Sequence, residues 1–230
     1  MLARLHLVTD DDVLRAAGFA ARAQEVLAAH GERVAVHLRG HGLSGAELFA
    51  LAETMAFAAD ASATELLVND RVDIALAAGA DGVQLGRRSL PIPAARALLG
   101  ADAWIGYSAH DAEEAGQSAR DGADFVLLGP VYPTASHPDR PALGLDELRR
   151  AAETAGIPVL AIGGITPERV PDVLAAGAYG VAVLGGVWRT PDPAAAAAAY
   201  LAALERAAAG RAGPGGRPAP AGGEPGAARG

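Results

Sequence analysis

Eight times along this chain a short apolar run is followed by an alanine- and leucine-rich stretch of helical spacing. That alternation limits the possible folds more than any other feature. The runs are RLHLVT, RVAVHLR, ATELLVN, DGVQLG, AWIGYS, DFVLLGP, IPVLAIGG and YGVAVLGG. The spacing predicts helices near residues 11–29, 44–59, 70–78, 91–99, 111–120, 145–154, 166–176 and 192–208. Ser44 before AELFALAE reads as an N-cap, and Thr166-Pro167-Glu168 as N-cap, first-turn proline and early acid. Three helices stop at a glycine and lead straight into a run, at AAGADGV (77–83), RDGADFV (120–126) and AAGAYGV (175–181). Glycine accepts the left-handed conformation at a helix C-terminus without a Cβ clash, so one helix-to-strand joint is built three times.

Runs this apolar have no face to give to water, which calls for a parallel sheet covered on both sides. Eight such units in about 200 residues predict a closed (β/α)₈ barrel, a single domain over residues 1–209. An open doubly wound sheet is the rival; its nucleotide-binding form is weakened by the lack of a GxGxxG after the first run. After Ala209 the sequence becomes GRAGPGGRPAPAGGEPGAARG. With almost no large apolar group it cannot offset its ordering entropy, so residues 210–230 are expected to form a disordered tail.

The net charge of −8, with no basic patch interleaved with aromatics, argues against a nucleic-acid surface. The chain has no cysteine, which excludes a disulfide framework, a thiolate metal site and a thiol nucleophile. Its start, MLARLHLVTDDD, lacks a long apolar core and is not read as a signal peptide. The one long apolar helix is alanine rather than leucine, so no membrane span is expected and a cytoplasmic location is. Oligomer formation stays open.

In such a barrel the chemistry sits on the loops that follow the C-terminal strand ends. That filter selects Thr9 and Asp10; His37, Arg39 and His41; Asn69 and Asp70; Arg87 to Ser89; and Ser108 and His110. It also selects VYPTASHPDRPALG (131–144), too polar for a core and too rich in proline for a helix, hence an ordered loop. Gly163-Gly164 and Gly185-Gly186 end the seventh and eighth runs, where bare amides let a phosphate approach, though tight turns would use the same residues. His6 and His30 are expected to be structural, His110 a helix-start residue, and Arg87 and Arg88 either solvated or functional.

LHLVTD, LLVNDRVDIALAAGADGVQLG, IGYSAH, DFVLLGPVYPT, IPVLAIGGI and GVAVLGG, in this order, resemble the thiamine phosphate synthase family, of which the thiazole tautomerases are close relatives. The resemblance covers roughly residues 4–205. It implies a (β/α)₈ barrel acting on small phosphorylated substrates: a hydroxymethylpyrimidine diphosphate, with magnesium, and a thiazole phosphate. By the same resemblance Arg39, Asn69 and Ser108 match contacts to the pyrimidine diphosphate, and Asp70 matches a magnesium ligand. Thr134 and Ser136 match hydroxyls beside the thiazole phosphate, and Gly164, Leu184 and Gly185 its backbone cradle. Three positions depart from the synthase pattern, with His37 for a glutamine and His41 and His137 for lysines. Ser89 stands for a second metal aspartate.

Imidazoles suit proton transfer, so His37, His41 and His137 become candidate catalytic residues. Three functions follow: a synthase joining the two substrates with release of diphosphate, a thiazole tautomerase, or a non-catalytic binder of thiazole phosphate. Pro130 and Asp70 match the synthase pattern; the three histidines and Ser89 match the tautomerase.

Overall fold

The structure, a computed structural model, describes residues 1–134 and 140–211. Eight parallel strands form a closed barrel in chain order. They are β1 (Leu5–Val8), β2 (Val34–Leu38), β3 (Glu65–Asn69), β4 (Gly82–Leu85), β5 (Trp104–Ala109), β6 (Phe125–Leu128), β7 (Val159–Ile162) and β8 (Gly180–Val183). Leu5 of β1 pairs with Val34 of β2 on one side and Val181 of β8 on the other, which closes the ring.

The helices between them are α1 (Asp11–Arg15), α2 (Phe19–His30), α3 (Gly45–Ser62), α4 (Val72–Ala78), α5 (Ile92–Leu99), α6 (Ala112–Arg120), α7 (Gly144–Ala155) and α8 (Val170–Ala175), then α9 (Gly185–Trp188) and α10 (Pro193–Arg211). The first expected helix is split, because Ala16 is extended and Gly18 left-handed. The last runs two residues past the expected boundary at 209, and the rest of the expected tail, 212–230, lies outside the described residues.

Most local signals act as the sequence predicts, but Thr166 makes no side-chain cap bond and Pro167–Arg169 form a 3-10 turn ahead of α8. Ser44 closes a reciprocal capping box with Glu47 at the start of α3. The three glycine joints share one geometry: Gly79, Gly122 and Gly177 have φ of 70°, 98° and 100°. Each donates to the carbonyl three residues back, while Ala80, Ala123 and Ala178 donate to the carbonyl five back at 2.9, 3.0 and 3.1 Å. That pair of bonds is the Schellman motif, and the next strand starts within a few residues of it.

Alternation along each strand sorts side chains to two cores. Leu5, Leu7, Val36, Leu66, Val68 and Val126 face the helices in the larger apolar layer. Ala35, Leu67, Phe125, Leu127, Leu160 and Ala182 fill the barrel itself. The interior is tight: a Cβ on Gly106 would lie 2.2 Å from Gln84 Oε1 and 2.3 Å from the Phe125 ring. Because the barrel is filled from within, a ligand of these strands has to bind at the rim rather than inside.

The interior also holds two imidazoles, and this corrects one sequence expectation. His37 is not on a loop. It lies in β2, fully buried, with its Nε2 2.8 Å from His6 Nδ1 and its ring 6.3 Å from that of Phe125. Strand β2 runs on through Leu38, so His37 sits two residues, about 6.6 Å, below the rim position of Arg39. Ala3 O can only accept from His6 Nε2, at 3.0 Å, so His6 carries its proton there and accepts at Nδ1. His37 must then donate from Nε2, which leaves its Nδ1 without a partner. Burial lowers the His6 pKa to about 4 and pushes that of His37 well below the usual range, with His6 adding to the second shift. Both rings are neutral near pH 7.

Candidate active site

One cavity of about 1320 Å³ opens at the C-terminal rim of the barrel. Its walls bring together Arg39, His41, Asn69, Asp70, Ser108, Thr134, Gly164, Leu184 and Gly185, residues drawn from the ends of six strands. The rim is where residues far apart in sequence converge, since all eight parallel strands end on the same side. Ser136 and His137 lie outside the described residues. Of the three candidate histidines, His41 lines the cavity and His37 does not.

Each site residue is held by a local device. Thr9, at the end of β1, donates to His37 O and accepts the Arg39 N–H, both at 2.9 Å, so Arg39 leaves β2 at a fixed angle. Asp70 follows β3 with φ of +63°, a left-handed conformation that aspartate tolerates better than most side chains. Its amide donates to Gln84 O at 3.0 Å, and its carboxylate accepts a short hydrogen bond from the Ser89 hydroxyl. His41 Nδ1 lies 3.6 Å from the other carboxylate oxygen. Ser89 thus supports Asp70, where a carboxylate would have repelled it.

Sequence reasoning missed Gln84. It occupies an inward position of β4, donates to Ser108 Oγ at 2.9 Å, and lines the cavity. Its Oε1 and the Asn69 Oδ1 are both buried without a hydrogen-bond partner. Two bare amide oxygens are costly unless a ligand supplies N–H donors. The available signal was a lone amide in the apolar run DGVQLG, at a position that alternation turns inward.

On the opposite wall the loop after β6 packs down on the end of β7. Val131 N–H donates to Ile162 O at 2.9 Å and Tyr132 N–H to Gly163 O at 3.1 Å. Arg169 locks the arrangement: its guanidinium lies 4.4 Å from the centre of the Tyr132 ring and donates to Gly164 O at 2.6 Å. Gly164 has φ of +65°, and a Cβ there would lie 2.6 Å from Pro133 O. Gly164→Ala is therefore expected to cost roughly 1–3 kcal/mol of stability and to weaken phosphate binding. Denaturant titration and a phosphate binding isotherm check this; an alanine variant matching the parent in both would show that the glycine pair is only a turn.

Charge completes the picture. The cavity is lined by five arginines (Arg39, Arg87, Arg88, Arg140 and Arg189) against three aspartates (Asp10, Asp12 and Asp70), in a chain of net charge −8. Such a locally positive cleft concentrates anions. Asp10 caps α1 and accepts from Arg189 at 2.7 Å. Among the described residues no three His, Cys, Asp or Glu side chains converge on a metal position. His110 accompanies Arg87 in binding Glu114. Burial pushes the Glu114 carboxyl up, but hydrogen bonds from Arg87 and His110 outweigh it and hold the group below its ordinary value. His30 bonds Ala194 O at 2.9 Å, the structural role expected of it.

Among known proteins, the chain is 40% identical over 211 residues to thiamine-phosphate synthase of Salinispora arenicola, covering 88% of this chain and 98% of that one. It is 55% identical over 144 residues to a thiamine biosynthesis bifunctional protein of Symbiobacterium thermophilum, a match spanning 62% of this chain and 30% of the larger protein. The solved structure of thiamine phosphate pyrophosphorylase from Pyrococcus furiosus superposes with a TM-score of 0.77 at 31% identity, covering 89% of this chain and 96% of that one. The family model described as thiamine monophosphate synthase matches residues 5–187, from the first strand of the barrel to the short helix after the last, and the chain belongs to that family.

Proposed function

We propose that this protein is a thiamine-phosphate synthase, joining a hydroxymethylpyrimidine diphosphate to a thiazole phosphate with release of diphosphate. The observation that carries the reading is the two-sided character of one cavity. Its rim is cationic, and its floor holds two buried amide oxygens, on Asn69 and Gln84, that lack donors. A diphosphate answers the first feature and the N–H groups of an aminopyrimidine answer the second. Ser108 accepts from Gln84 at 2.9 Å and holds that amide in place with its oxygen free for a donor.

In the reaction the bond from the pyrimidine methylene to the diphosphate oxygen breaks, and its electron pair leaves with that oxygen. The lone pair of the thiazole nitrogen then forms the new C–N bond. Arg39 stabilises the growing negative charge, and the glycine pairs after β7 and β8 hold the thiazole phosphate so that its ring faces the methylene. Magnesium commonly takes one or two carboxylates and completes its shell with substrate phosphates. Asp70 fits the role of single protein ligand to an ion that arrives with the diphosphate, where it would add charge neutralisation.

The tautomerase alternative drew on three imidazoles in one place. His37 lies in the barrel interior, paired to His6 and neutral, which leaves that alternative a weaker footing. The deciding experiment supplies pyrimidine diphosphate and thiazole phosphate with and without magnesium. Thiamine phosphate and free diphosphate in equal amounts, dependent on magnesium, are the expected products. No product at saturating magnesium, with accelerated proton exchange on a thiazole phosphate carboxylate, would refute the synthase reading.

A further inference from the structure

We propose that Arg88 is a diphosphate-binding residue of this site; the inference rests on the synthase reading and adds a contact to it. Five arginines line the cavity, but they are not equivalent. Arg87 is held by Glu114, with Nε at 2.6 Å, and Arg189 by Asp10 at 2.7 Å. Arg140 adjoins residues 135–139, which lie outside the described residues. Arg39 leaves β2 at an angle that Thr9 fixes. Arg88 has no carboxylate partner among the described residues, yet it lines the same cavity.

Its mounting is stiff. Ser89 N–H donates to Gly86 O at 3.0 Å, and Gly86 N–H donates back to Ser89 Oγ at 2.8 Å, so residues 86–89 form a tight closed turn. The same Ser89 hydroxyl donates to Asp70. Arg88 is therefore carried one residue from the group that touches the candidate metal ligand, on a turn closed by two hydrogen bonds. With the turn already closed, engaging an anion has to order the arginine side chain but not its backbone. The guanidinium fork matches two phosphate oxygens at once, where a surface charge without a ligand would gain nothing from such a mount. With Asp70 as the single proposed metal ligand, part of the diphosphate charge is left for a direct cation to neutralise.

Arg87 is a built-in control, because it has the same charge on the same turn but is committed to Glu114. Isothermal calorimetry with inorganic pyrophosphate, in magnesium-free buffer and with magnesium, compares the parent with R88Q, R88K and R87Q. R88Q is expected to weaken pyrophosphate binding about tenfold or more without magnesium, R88K to fall in between, and R87Q to stay within about threefold. Inorganic phosphate binding and the melting temperature should be the same in all four. R88Q binding pyrophosphate within about threefold of the parent overturns the proposal, as does an equal loss in R87Q, which would mean a diffuse field. A parent that binds no pyrophosphate overturns it as well. If R88Q loses pyrophosphate while the parent makes no thiamine phosphate, the contact stands and the synthase reading falls.

Discussion

Replacing Asp70 by asparagine is expected to slow thiamine phosphate formation by roughly 10²–10³-fold while leaving the fold intact. The substitution suits the backbone, because Asp70 sits at φ of +63° and asparagine is at least as tolerant of the left-handed region. The local hydrogen bond also survives, since the Ser89 hydroxyl can donate to an amide oxygen as it does to the carboxylate. What disappears is the negative charge on which the proposed role of Asp70 as a magnesium ligand depends. His41 Nδ1, 3.6 Å from that carboxylate, then faces a neutral amide instead. Initial rates at saturating substrates over a magnesium titration, beside the melting temperature, test the point. A rate within about threefold of the parent at every magnesium concentration would remove Asp70 from the chemistry.

The second large effect is on stability. Acidification from pH 6.5 to about pH 4 is expected to destabilise the barrel by about 3 kcal/mol through His6 alone, with His37 adding in the same direction. In the folded state burial depresses both imidazole pKa values, while in the unfolded chain they return to about 6.5. Between those values the unfolded state binds protons that the folded state refuses. Stability is thus complete above pH 6.5 and falls as pH drops toward the folded value. Carboxylates held low, such as Glu114 and Asp73, act in the same sense but only as pH passes below about 4.5. From 6.5 to 4.5 the two buried imidazoles drive the loss, opposed among the described residues only by Glu65, whose carboxyl burial pushes up and which therefore gains stability as it protonates. His37→Gln keeps an N–H donor for His6 Nδ1 and removes one titrating ring, so its denaturant midpoint should fall less steeply over that window. Parallel curves for parent and variant would place the acid sensitivity elsewhere.

The barrel was legible because its signals are local. Apolar runs, Ser44 as a cap and the glycine joints at Gly79, Gly122 and Gly177 depend only on neighbours within a few residues, and each acts as read. Much of the site was legible too, once the strands were found. Arg39, Asn69, Asp70, Ser108, Thr134, Gly164 and Gly185 do line one cavity at the C-terminal strand ends, with Leu184, which only the family resemblance pointed to.

His37 shows the limit. His37 and Arg39 are two residues apart and share an inward direction, yet one is sealed in the barrel and the other lines the cavity. The difference depends on where β2 stops and how deep its register sets each inward layer, with His37 level with Val8 of β1. Gln84 was hidden for the converse reason, because it looked like part of an apolar strand until the register placed it at the cavity floor. By itself the sequence determined the eight units, their joints and the rim as the place of chemistry, since periodicity and capping are short-range. Tertiary structure alone decided which polar groups face the ligand and which arginines are already taken. Those outcomes depend on barrel register and on pairs such as Arg87 with Glu114 and Arg189 with Asp10, which only closure of the sheet brings together.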